Sequence, residues 1–599
     1  MTASRERRVL FLVLTLALLL RLMHWVAVRE APFVGSLVMD SEEYDRWARE
    51  IAGGEWLGSE PFFQAPLYPY LLAVVYAVVG IASAARLDAV YLLQIVLAVA
   101  GCWALYRAGR LLGGSRLGLA AAGLAAVYGP FLFYDVQLLK ESLAVTTVSF
   151  LLWGLVAAAR GGRLGVWLAV GVGAGVLVLL RENALLVVPF LLPVAVVPGR
   201  SGALRRMTLV VAGLALVLAP VAVRNAAVGG GFLPTTFQGG VNFYIGNNAS
   251  ADGTYRPLTP GRQVPAFERR EPVRLAEQAL GRELTGAEVS RYWLGESLDW
   301  ARSRPFDFLE LQARKLGMFW RWYEWPDAVD YYWMASISPL LALPLLELGG
   351  VMLLALAGLW LVRRRLVVWS PVLLFAVGWT LSTVVFFVFS RYRLPVVPAL
   401  LLLAAVPVAE LVEGFRTQRR RSAILGALVL IAFAAPAMLS PEPRLDLVHY
   451  NLGILAERDG RIGEAAAELE RALNHNPELF SAALERGNLA RRVGDLGGAI
   501  GWYRRATEIE PRSALAWSNL GAALMLSRDE TGAAEALGKA VEIDPTELGA
   551  LTNLAVLRAR RGEIEEAGRL VERVLAIDPA YRPARSLQRR LDAEEGAER

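Results

Sequence analysis

The sequence predicts an all-α protein in which a membrane bundle is joined to a separate helical repeat array, and three observations support this. The 599 residues are 55% hydrophobic, with a mean hydropathy of +0.42, whereas soluble domains contain about 45–50% apolar residues. Long apolar runs recur from about residue 9 to residue 440. From Pro441 to Arg599 the chain is charged, rich in Ala and Leu, and repetitive. We therefore divide it into a transmembrane domain, 1–440, and a repeat domain, 441–599.

About eleven segments of the first domain are apolar enough to cross a membrane, for which a helix needs about 20 mostly apolar residues. These segments are 9–28, 87–106, 117–134, 142–159, 164–180, 184–199, 207–223, 339–362, 366–389, 394–414 and 422–440. The run 66–80 is shorter and has two prolines near its start, which favours an interfacial or re-entrant helix. The first run has no small-residue cleavage site after it, so an uncleaved span is favoured over a signal peptide.

The distribution of arginines predicts which segments lie on each side of the membrane. With a cytoplasmic N-terminus and eleven spans, nearly every short arginine cluster falls in the cytoplasm, as the positive-inside rule requires. Three segments then lie outside it: a first loop with interfacial helices, 29–83, a large loop, 224–338, and the whole repeat domain. Arginine is far commoner than lysine, which is typical of a GC-rich bacterial genome. We therefore expect a multi-pass protein of a bacterial plasma (inner) membrane.

The repeat domain has a period of 34 residues. The positions that keep this step are Pro477, Pro511, Pro545 and Pro579; Ala465, Ala499, Ala533 and Ala567; and Gly453, Gly487 and Gly521. Small residues where two helices touch and a proline that ends the second helix are the tetratricopeptide pattern. Such repeats stack into an α-solenoid, and we expect its concave groove to bind a protein partner. A spacing appendage without a specific ligand is the alternative.

Composition excludes several classes of function. Cys102 is the only cysteine and lies in an apolar run, so disulfides and multi-thiolate metal sites are excluded within one chain. The three histidines, His24, His449 and His475, are scattered, which argues against a histidine-based zinc site. The net charge of +6 is modest, and the arginines lie in short loops, so we expect no nucleic acid partner.

The first polar cluster near the membrane follows the first span, at 39–48. Asp40, Glu43 and Trp47 have the spacing of one helical face. A carboxylate held at a membrane surface is suited to accept a proton from an acceptor hydroxyl or amine. The alternative is an exposed amphipathic helix with ordinary acidic residues.

The second cluster, 134–141, lies between two predicted spans and contains Asp135, Lys140 and Glu141. Glu141 stands at the start of a span, where a charge is costly and is by default a functional candidate. Together with Asp40 it could hold a divalent cation, Mg²⁺ or Mn²⁺. Favourable placement of an acid at a helix N-terminus is the alternative.

The third cluster consists of arginines that the predicted topology places outside the cytoplasm, against the orientation rule. These residues are Arg181, Arg224, Arg391 and Arg393. The guanidinium fork binds phosphate oxygens in pairs, so such arginines indicate a bound anion such as a lipid phosphate. Snorkelling to lipid headgroups is the alternative.

In order along the chain, these motifs resemble those of a known enzyme family. The motifs are Asp40 four residues before Tyr44, Pro-Leu-Tyr-Pro at 66–69, Arg-Glu-Asn at 181–183 and Arg-Tyr-Arg-Leu-Pro at 391–395. They are similar to the polyprenol-phosphate-sugar-dependent glycosyltransferases of the GT-C fold (glycosyltransferase family 39), in the branch of protein O-mannosyltransferases and aminoarabinose transferases. The resemblance covers about residues 9–440. Two departures, Asp40-Ser41 for a frequent Asp-Glu and Gln64-Ala65-Pro66 for a Lys-Pro, concern donor and acceptor identity.

The resemblance implies an active site at the outer membrane surface that transfers a sugar from a polyprenyl phosphate to a protein, lipid or glycan. It implies that Asp40 is the general base and that Glu141 is a second catalytic carboxylate. Four cations match a role in binding the donor phosphate: Arg391, Arg393, Arg181 and Lys140. The residues expected to position donor or acceptor are Glu43, Tyr44, Gln64, Tyr68, Asp135, Asn183 and Tyr392.

Two other functions remain open from the sequence. A glycan ligase or polymerase would also place arginines outside the cytoplasm, but it would not need Asp40. A membrane-anchored scaffold for cell-envelope assembly would use the repeats alone and would need neither Asp40 nor the arginines. A transporter is disfavoured because the ionisable residues gather at one face rather than at the bilayer midplane.

Overall fold

The computed structural model describes residues 2–260, 265–414, 418–438 and 442–598. Within these ranges the secondary structure is helical, with two isolated β-bridges and no strand, so the predicted all-α fold is confirmed. The chain divides into two compact units. One unit is Met1–Arg256 with Arg269–Pro443, and the other is Pro257–Glu268 with Arg444–Arg599.

Twenty helices precede the repeat domain. They are α1 Ala3–Val28, α2 Asp40–Ala52, α3 Leu67–Val79, α4 Arg86–Gly113, α5 Ser115–Ala126, α6 Gly129–Asp135, α7 Glu141–Ala159, α8 Leu164–Leu180, α9 Val188–Leu191, α10 Ala203–Ala227, α11 Gln238–Gly246, α12 Pro265–Leu280, α13 Gly286–Ser303, α14 Pro305–Phe319, α15 Tyr331–Ile337, α16 Leu348–Val362, α17 Leu366–Val384, α18 Ser390–Arg393, α19 Val397–Gly414 and α20 Arg419–Met438. Short 3₁₀ segments flank α9 and join α18 to α19.

Six helices of the described residues are long and apolar enough to cross a membrane. They are Ala3–Val28, Arg86–Gly113, Glu141–Ala159, Ala203–Ala227, Leu366–Val384 and the continuous segment Ser390–Gly414. The protein is therefore a multi-pass membrane protein. The expected run 66–80 forms α3, which is too short to span a bilayer. The count of about eleven spans, and the assignment of sides that follows from it, stay predictions.

Three of the predicted spans are not continuous helices, and proline explains each break. The segment 117–134 divides into α5 and α6 around Val127, just before Gly129-Pro130. The segment 184–199 is a 3₁₀–α–3₁₀ succession that contains Pro189 and Pro193. The segment 339–362 becomes helical only at Leu348, after two prolines. The predicted span 422–440 overlaps α20, and its last two residues lie outside the described ones.

The loop that contains residues 53–66 is tied to the end of α10. Arg224 donates from Nε to the carbonyl of Leu57 at 2.7 Å and from Nη1 to that of Glu60 at 2.7 Å. The backbone N–H of Phe62 donates to Asn225 Oδ1 at 3.2 Å. These contacts fix the stretch that leads into Gln64. Arg224, one of the arginines predicted to bind an anion, therefore anchors this loop.

The repeat domain contains α21 Leu445–Arg458, α22 Ile462–His475, α23 Phe480–Arg492, α24 Leu496–Ile509, α25 Ala514–Leu526, α26 Glu530–Ile543, α27 Leu548–Arg560, α28 Ile564–Ile577 and α29 Arg582–Glu598. Its repeating glycines lie where the two helices of a unit cross. A Cβ built on Gly487 would stand 2.6 Å from the ring of Tyr503, and one on Gly521 would stand 2.6 Å from Leu537. Only glycine permits this approach, which explains the repeat.

Candidate active site

One guanidinium group bridges two carboxylates that are far apart in sequence. Asp40 is the first residue of α2, and Arg391 lies in the single turn α18. Arg391 Nη1 is 2.7 Å from Asp40 Oδ2, and Arg391 Nε is 2.8 Å from Asp327 Oδ2. The Asp40 side chain keeps 21% of its surface exposed. A substrate can therefore reach a carboxylate that is already held in place.

The backbone before Asp40 is strained. Met39 has φ 51° and ψ −127°, and positive φ is uncommon for residues other than glycine. Such a conformation costs about 1–3 kcal/mol and occurs preferentially at functional sites. It turns the chain sharply so that α2 begins at Asp40, and three acids in its first turn are favourably placed for the helix dipole.

The two carboxylates have pKa values displaced in opposite directions. Burial raises the pKa of Asp40, but the Arg391 guanidinium, Lys140 and the Gln64 amide together bring it below its ordinary value. Burial also raises the pKa of Asp327. The Arg391 guanidinium lowers that pKa, but the nearby charges of Asp40 and Glu141 raise it, so it stays above the ordinary aspartate value. Paired groups whose pKa values are separated in this way suit proton transfer. Asp40 is the more acidic member of the pair.

One oxygen of Asp40 is nearly free. Oδ2 is taken by Arg391, whereas Oδ1 accepts a long hydrogen bond of 3.4 Å from Gln64 Nε2. A hydroxyl group of an acceptor can replace that weak contact without breaking the ion pair. Asp40 can thus remain oriented by Arg391 while it accepts a proton on Oδ1.

A second ion pair lies beside the first. Glu141, which begins α7 and is 0% exposed, pairs with Arg181 Nη2. Tyr392 connects the two pairs, since its ring centroid is 4.7 Å from the Arg181 guanidinium and 5.1 Å from that of Arg391. Glu141 Oε2 and Arg181 Nε are buried without a hydrogen-bond partner among the described residues. Both groups therefore have bonding capacity left for a ligand.

Lys140 supplies the third cation of the cluster. Its Nζ lies 5.9 Å from the ring centroid of Tyr44, and among the described residues no carboxylate forms an ion pair with it. Burial lowers the pKa of Lys140, although the nearby acids Glu182, Glu141 and Asp40 oppose this. An ammonium group has three N–H donors, so Lys140 is the cation best able to receive an anionic ligand.

Arg393, which is predicted to bind the donor phosphate, makes many contacts within the protein. It is 1% exposed, pairs with Glu324 at 3.0 Å and donates to Ser390. Its other acceptors are the main-chain oxygens of Met318, Phe319, Arg321 and Tyr323. Side chains two residues apart on a helix point about 200° apart, so Arg391 and Arg393 face opposite sides of α18. Arg393 holds the segment 318–324 through its two Nη groups.

Some of the predicted positioning residues also serve the packing of the bundle. The carboxylate of Asp135 pairs with buried Arg21 at 2.7 Å. Tyr68 donates to Gln94 at 2.7 Å and packs its ring edge-on against Tyr44. Asp135 therefore stabilises the bundle interior, and Tyr68 supports the ring that Lys140 faces.

Two further predicted positioning residues lie apart from the ion pairs. Asn183 donates to Ser382 of α17 at 3.2 Å, which ties the segment after Arg181 to that helix. Glu43 pairs with Arg46 on α2. Of the positioning set, Tyr44, Gln64 and Tyr392 thus contact the central charges.

The two carboxylates that are predicted to hold a divalent cation both pair with arginines. Asp40 and Glu141 are each neutralised by an arginine. Within the described part of the chain, no group of three or more His, Cys, Asp or Glu residues could hold a metal ion. We derive no catalytic step from a metal.

Asp327 was not predicted from the sequence. It follows Trp325-Pro326 in a stretch rich in aromatic residues. The only hint in the sequence was a single acid among aromatic residues, because a charge near lipid is costly without a partner.

Comparison with known families gives two results. Residues 63–224 match the family model described as dolichyl-phosphate-mannose-protein mannosyltransferase. Residues 450–514 and 524–591 match two models of the tetratricopeptide repeat. The first match contains Gln64, Lys140, Glu141 and Arg181, but Asp40 precedes it, and Asp327 and Arg391 follow it. A comparison with curated proteins found no match.

Several solved structures are similar to part of this chain. MamA from Desulfovibrio magneticus RS-1 is 21% identical and aligns over 28% of this chain and 93% of its own, with a TM-score of 0.22. YrrB, a tetratricopeptide protein with an unusual peptide-binding site, is 18% identical over 30% and 88%, with a TM-score of 0.23. The Arabidopsis OM64 tetratricopeptide domain is 22% identical over 20% and 97%, with a TM-score of 0.19.

The three family matches confirm the predicted resemblance and the predicted repeats. The match over 63–224 lies within the multi-pass membrane unit, and the two repeat matches lie within α21–α29. Residues 63–224 of the membrane unit are thus similar to dolichyl-phosphate-mannose-protein mannosyltransferases, which indicates a glycosyltransferase kind, and tetratricopeptide repeats follow.

Proposed function

We propose that the protein transfers a sugar from a polyprenyl-phosphate-linked donor to a protein or glycan acceptor outside the cytoplasm, with Asp40 as general base. The observation that carries this proposal is the gathering of three cations, Lys140, Arg181 and Arg391, around the carboxylate of Asp40. The family match over residues 63–224 supports the class of reaction.

The cations suit a phosphate that gains negative charge as the sugar departs. Lys140 offers an ammonium group without an ion-pair partner among the described residues, and Arg181 offers a buried Nε that makes no hydrogen bond. Leaving the buried Arg181 Nε unsatisfied costs about 1–3 kcal/mol, so an anionic ligand relieves this cost. Donors arranged before the reaction stabilise the developing charge most effectively.

In the proposed reaction, each bond that forms is matched by a bond that breaks. The acceptor hydroxyl transfers its proton to Asp40 Oδ1 as its oxygen forms a bond to C1 of the sugar. The bond between C1 and the phosphate oxygen breaks, and the polyprenyl phosphate leaves with the electron pair. Lys140, Arg181 and Arg391 neutralise that phosphate. Arg391 remains paired with Asp327 when Asp40 becomes neutral, so the guanidinium keeps its position.

The repeats lie on the same side of the membrane as Asp40 under the proposed topology, where they would receive the acceptor or a partner protein. Glu565 is exposed on α28 and suits a labelling site. We expect a cysteine at Glu565 to react with a membrane-impermeant maleimide in cells whose outer membrane has been removed and whose plasma membrane is intact. Labelling only after the plasma membrane is opened would place the repeats in the cytoplasm and contradict this topology.

The reaction can be tested on the full chain in lipid nanodiscs. Synthetic polyprenyl-phosphate mannose and related polyprenyl-phosphate sugars are supplied with a membrane protein extract, and release of polyprenyl phosphate is followed by mass spectrometry. We expect turnover with at least one donor and its loss in Asp40→Asn, but not in Glu50→Gln, a change on the exposed side of α2. Turnover that survives Asp40→Asn would favour a ligase or polymerase. If no donor is turned over but the repeats still capture a partner protein, a scaffold function would be favoured.

A further inference from the structure

Helix α14 presents an apolar stripe that the described part of the chain leaves uncovered. Phe306 is 83% exposed, Leu309 60% and Leu316 42%. Their spacing places them on one side of the helix, with exposed Ala313 between them. Soluble surfaces rarely hold large apolar side chains in such a row. Some apolar environment is therefore needed along this side.

The opposite side of α14 is anchored to the rest of the unit. Leu311, Lys315 and Met318 are buried, and they lie roughly opposite the exposed stripe on the helical wheel. The charges Asp307, Glu310 and Arg314 occupy only one flank, between these two sides. The helix thus has a core side, a charged flank and a free apolar side.

The anchor of α14 lies at the end of a membrane span. Lys315 Nζ donates to the carbonyl of Phe386 at 2.8 Å and to Asn247 Oδ1 at 2.9 Å. Phe386 lies two residues beyond the end of α17, which is long and apolar enough to cross a bilayer. Arg393, near the start of the next candidate span, holds the carbonyls of Met318 and Phe319 at the other end of α14.

Lipid is the occupant that these contacts favour. Val377 and Leu381 are exposed and lie within the last two turns of α17. The lipid-facing surface of this span therefore ends about one turn before Phe386, whose carbonyl anchors α14 through Lys315. A helix held at that level, with its charges confined to one flank, has the pattern of a helix that lies in the membrane interface.

We propose that α14 lies in the outer surface of the bilayer, with Phe306, Leu309 and Leu316 immersed in the acyl-chain boundary and Asp307 and Glu310 in water. The proposal is independent of the reaction assigned above. It identifies part of the large loop 224–338 as a membrane-binding surface and not a freely solvated insertion. The helix then fixes the height of the segment 318–327, which ends at Asp327.

Site-directed spin labelling tests this placement in the full chain. Single cysteines replace Phe306, Leu309 or Leu316, with Asp307→Cys and Glu310→Cys as matched controls on the charged flank. Cys102 is buried and can remain in the background chain. After reconstitution into phosphatidylethanolamine–phosphatidylglycerol vesicles, accessibility to oxygen and to a water-soluble nickel complex is measured by power saturation.

We expect the three stripe labels to favour oxygen and the two flank labels to favour nickel. Equal access of nickel to all five labels would overturn the proposal. Spin–spin broadening at the stripe that disappears on dilution with unlabelled protein would also overturn it, because a second copy would then cover the helix. A measurement without substitution uses a diazirine lipid on the native chain. Cross-links should map to Phe306, Leu309 or Leu316, and their absence from α14 would count against the proposal.

Discussion

Replacing Asp40 by Asn removes the proposed proton acceptor while it preserves the size of the side chain. General base catalysis contributes typically about 10²–10⁴-fold, which corresponds to about 3–5 kcal/mol in the transition state. The effect on folding should be smaller, because Arg391 keeps Asp327 at 2.8 Å and is not left unpaired. Losing one charge-assisted hydrogen bond costs about 1.5–3 kcal/mol. We therefore expect turnover to fall at least about 100-fold in a protein that still folds.

The assay follows release of polyprenyl phosphate from the donor by purified protein in nanodiscs, with thermal unfolding measured on the same samples. Glu50→Gln, on the same helix but on its exposed side, is the control for a general effect of neutralising an acid. If Asp40→Asn keeps more than about a tenth of the wild-type turnover, it falls outside the range of general base catalysis. That result would refute the assigned role of Asp40.

We expect turnover to decrease at low pH and not at neutral pH. Although burial raises the pKa of Asp40, Arg391 and its other partners bring that pKa below the ordinary aspartate value. The ionised base is therefore present at neutral pH, and activity should fall only as the pH drops through this low pKa. Arg391→Gln removes the nearest cation, so the acidic limb of the profile should move to higher pH. An acidic limb that stays in place would show that Arg391 does not set the charge of Asp40.

Three further outcomes are expected. Arg393→Met should destabilise the folded chain by about 3–5 kcal/mol, measured by thermal unfolding, because it leaves buried Glu324 without its cation. Gly487→Ala should destabilise the repeats by about 1–3 kcal/mol, since its Cβ would stand 2.6 Å from Tyr503, whereas Gly501→Ala meets nothing within 4 Å and should not. Removal of divalent cations with EDTA should leave turnover unchanged, because the described residues contain no group of three metal ligands. Loss of activity restored by Mg²⁺ or Mn²⁺ would contradict this.

The repeat array could be predicted in detail because its signal is periodic. Proline, alanine and glycine each keep the same step, and the structure gives the glycine a physical reason in the 2.6 Å approach to Tyr503. The membrane spans were less predictable at their ends. Hydropathy responds to composition over about 20 residues, whereas a helix is broken locally by prolines such as Pro130, Pro189 and Pro344.

The candidate site could be predicted in part. Charges beside apolar runs singled out Asp40, Lys140, Glu141, Arg181 and Arg391, and the structure brings these five close together. The sequence did not separate Arg391 from Arg393, although their spacing of two residues places them on opposite sides of any helix. Asp327 was not predicted as a site residue because its partner is distant in sequence, and pairing at that range depends on tertiary structure.

The turn that carries Arg391 and Arg393 couples the site to the segment that supports it. Arg393 holds the main chain of 318–324, and Arg391 pairs with Asp327, three residues further along. Loss of the Arg393 fork should therefore free Asp327 as well as destabilise the fold. Because Asp327 would then hold Arg391 less firmly, Arg393→Met should lower turnover even at temperatures where the protein stays folded. The loss should be smaller when Asp327 has already been replaced by Asn, since the two changes act through one contact.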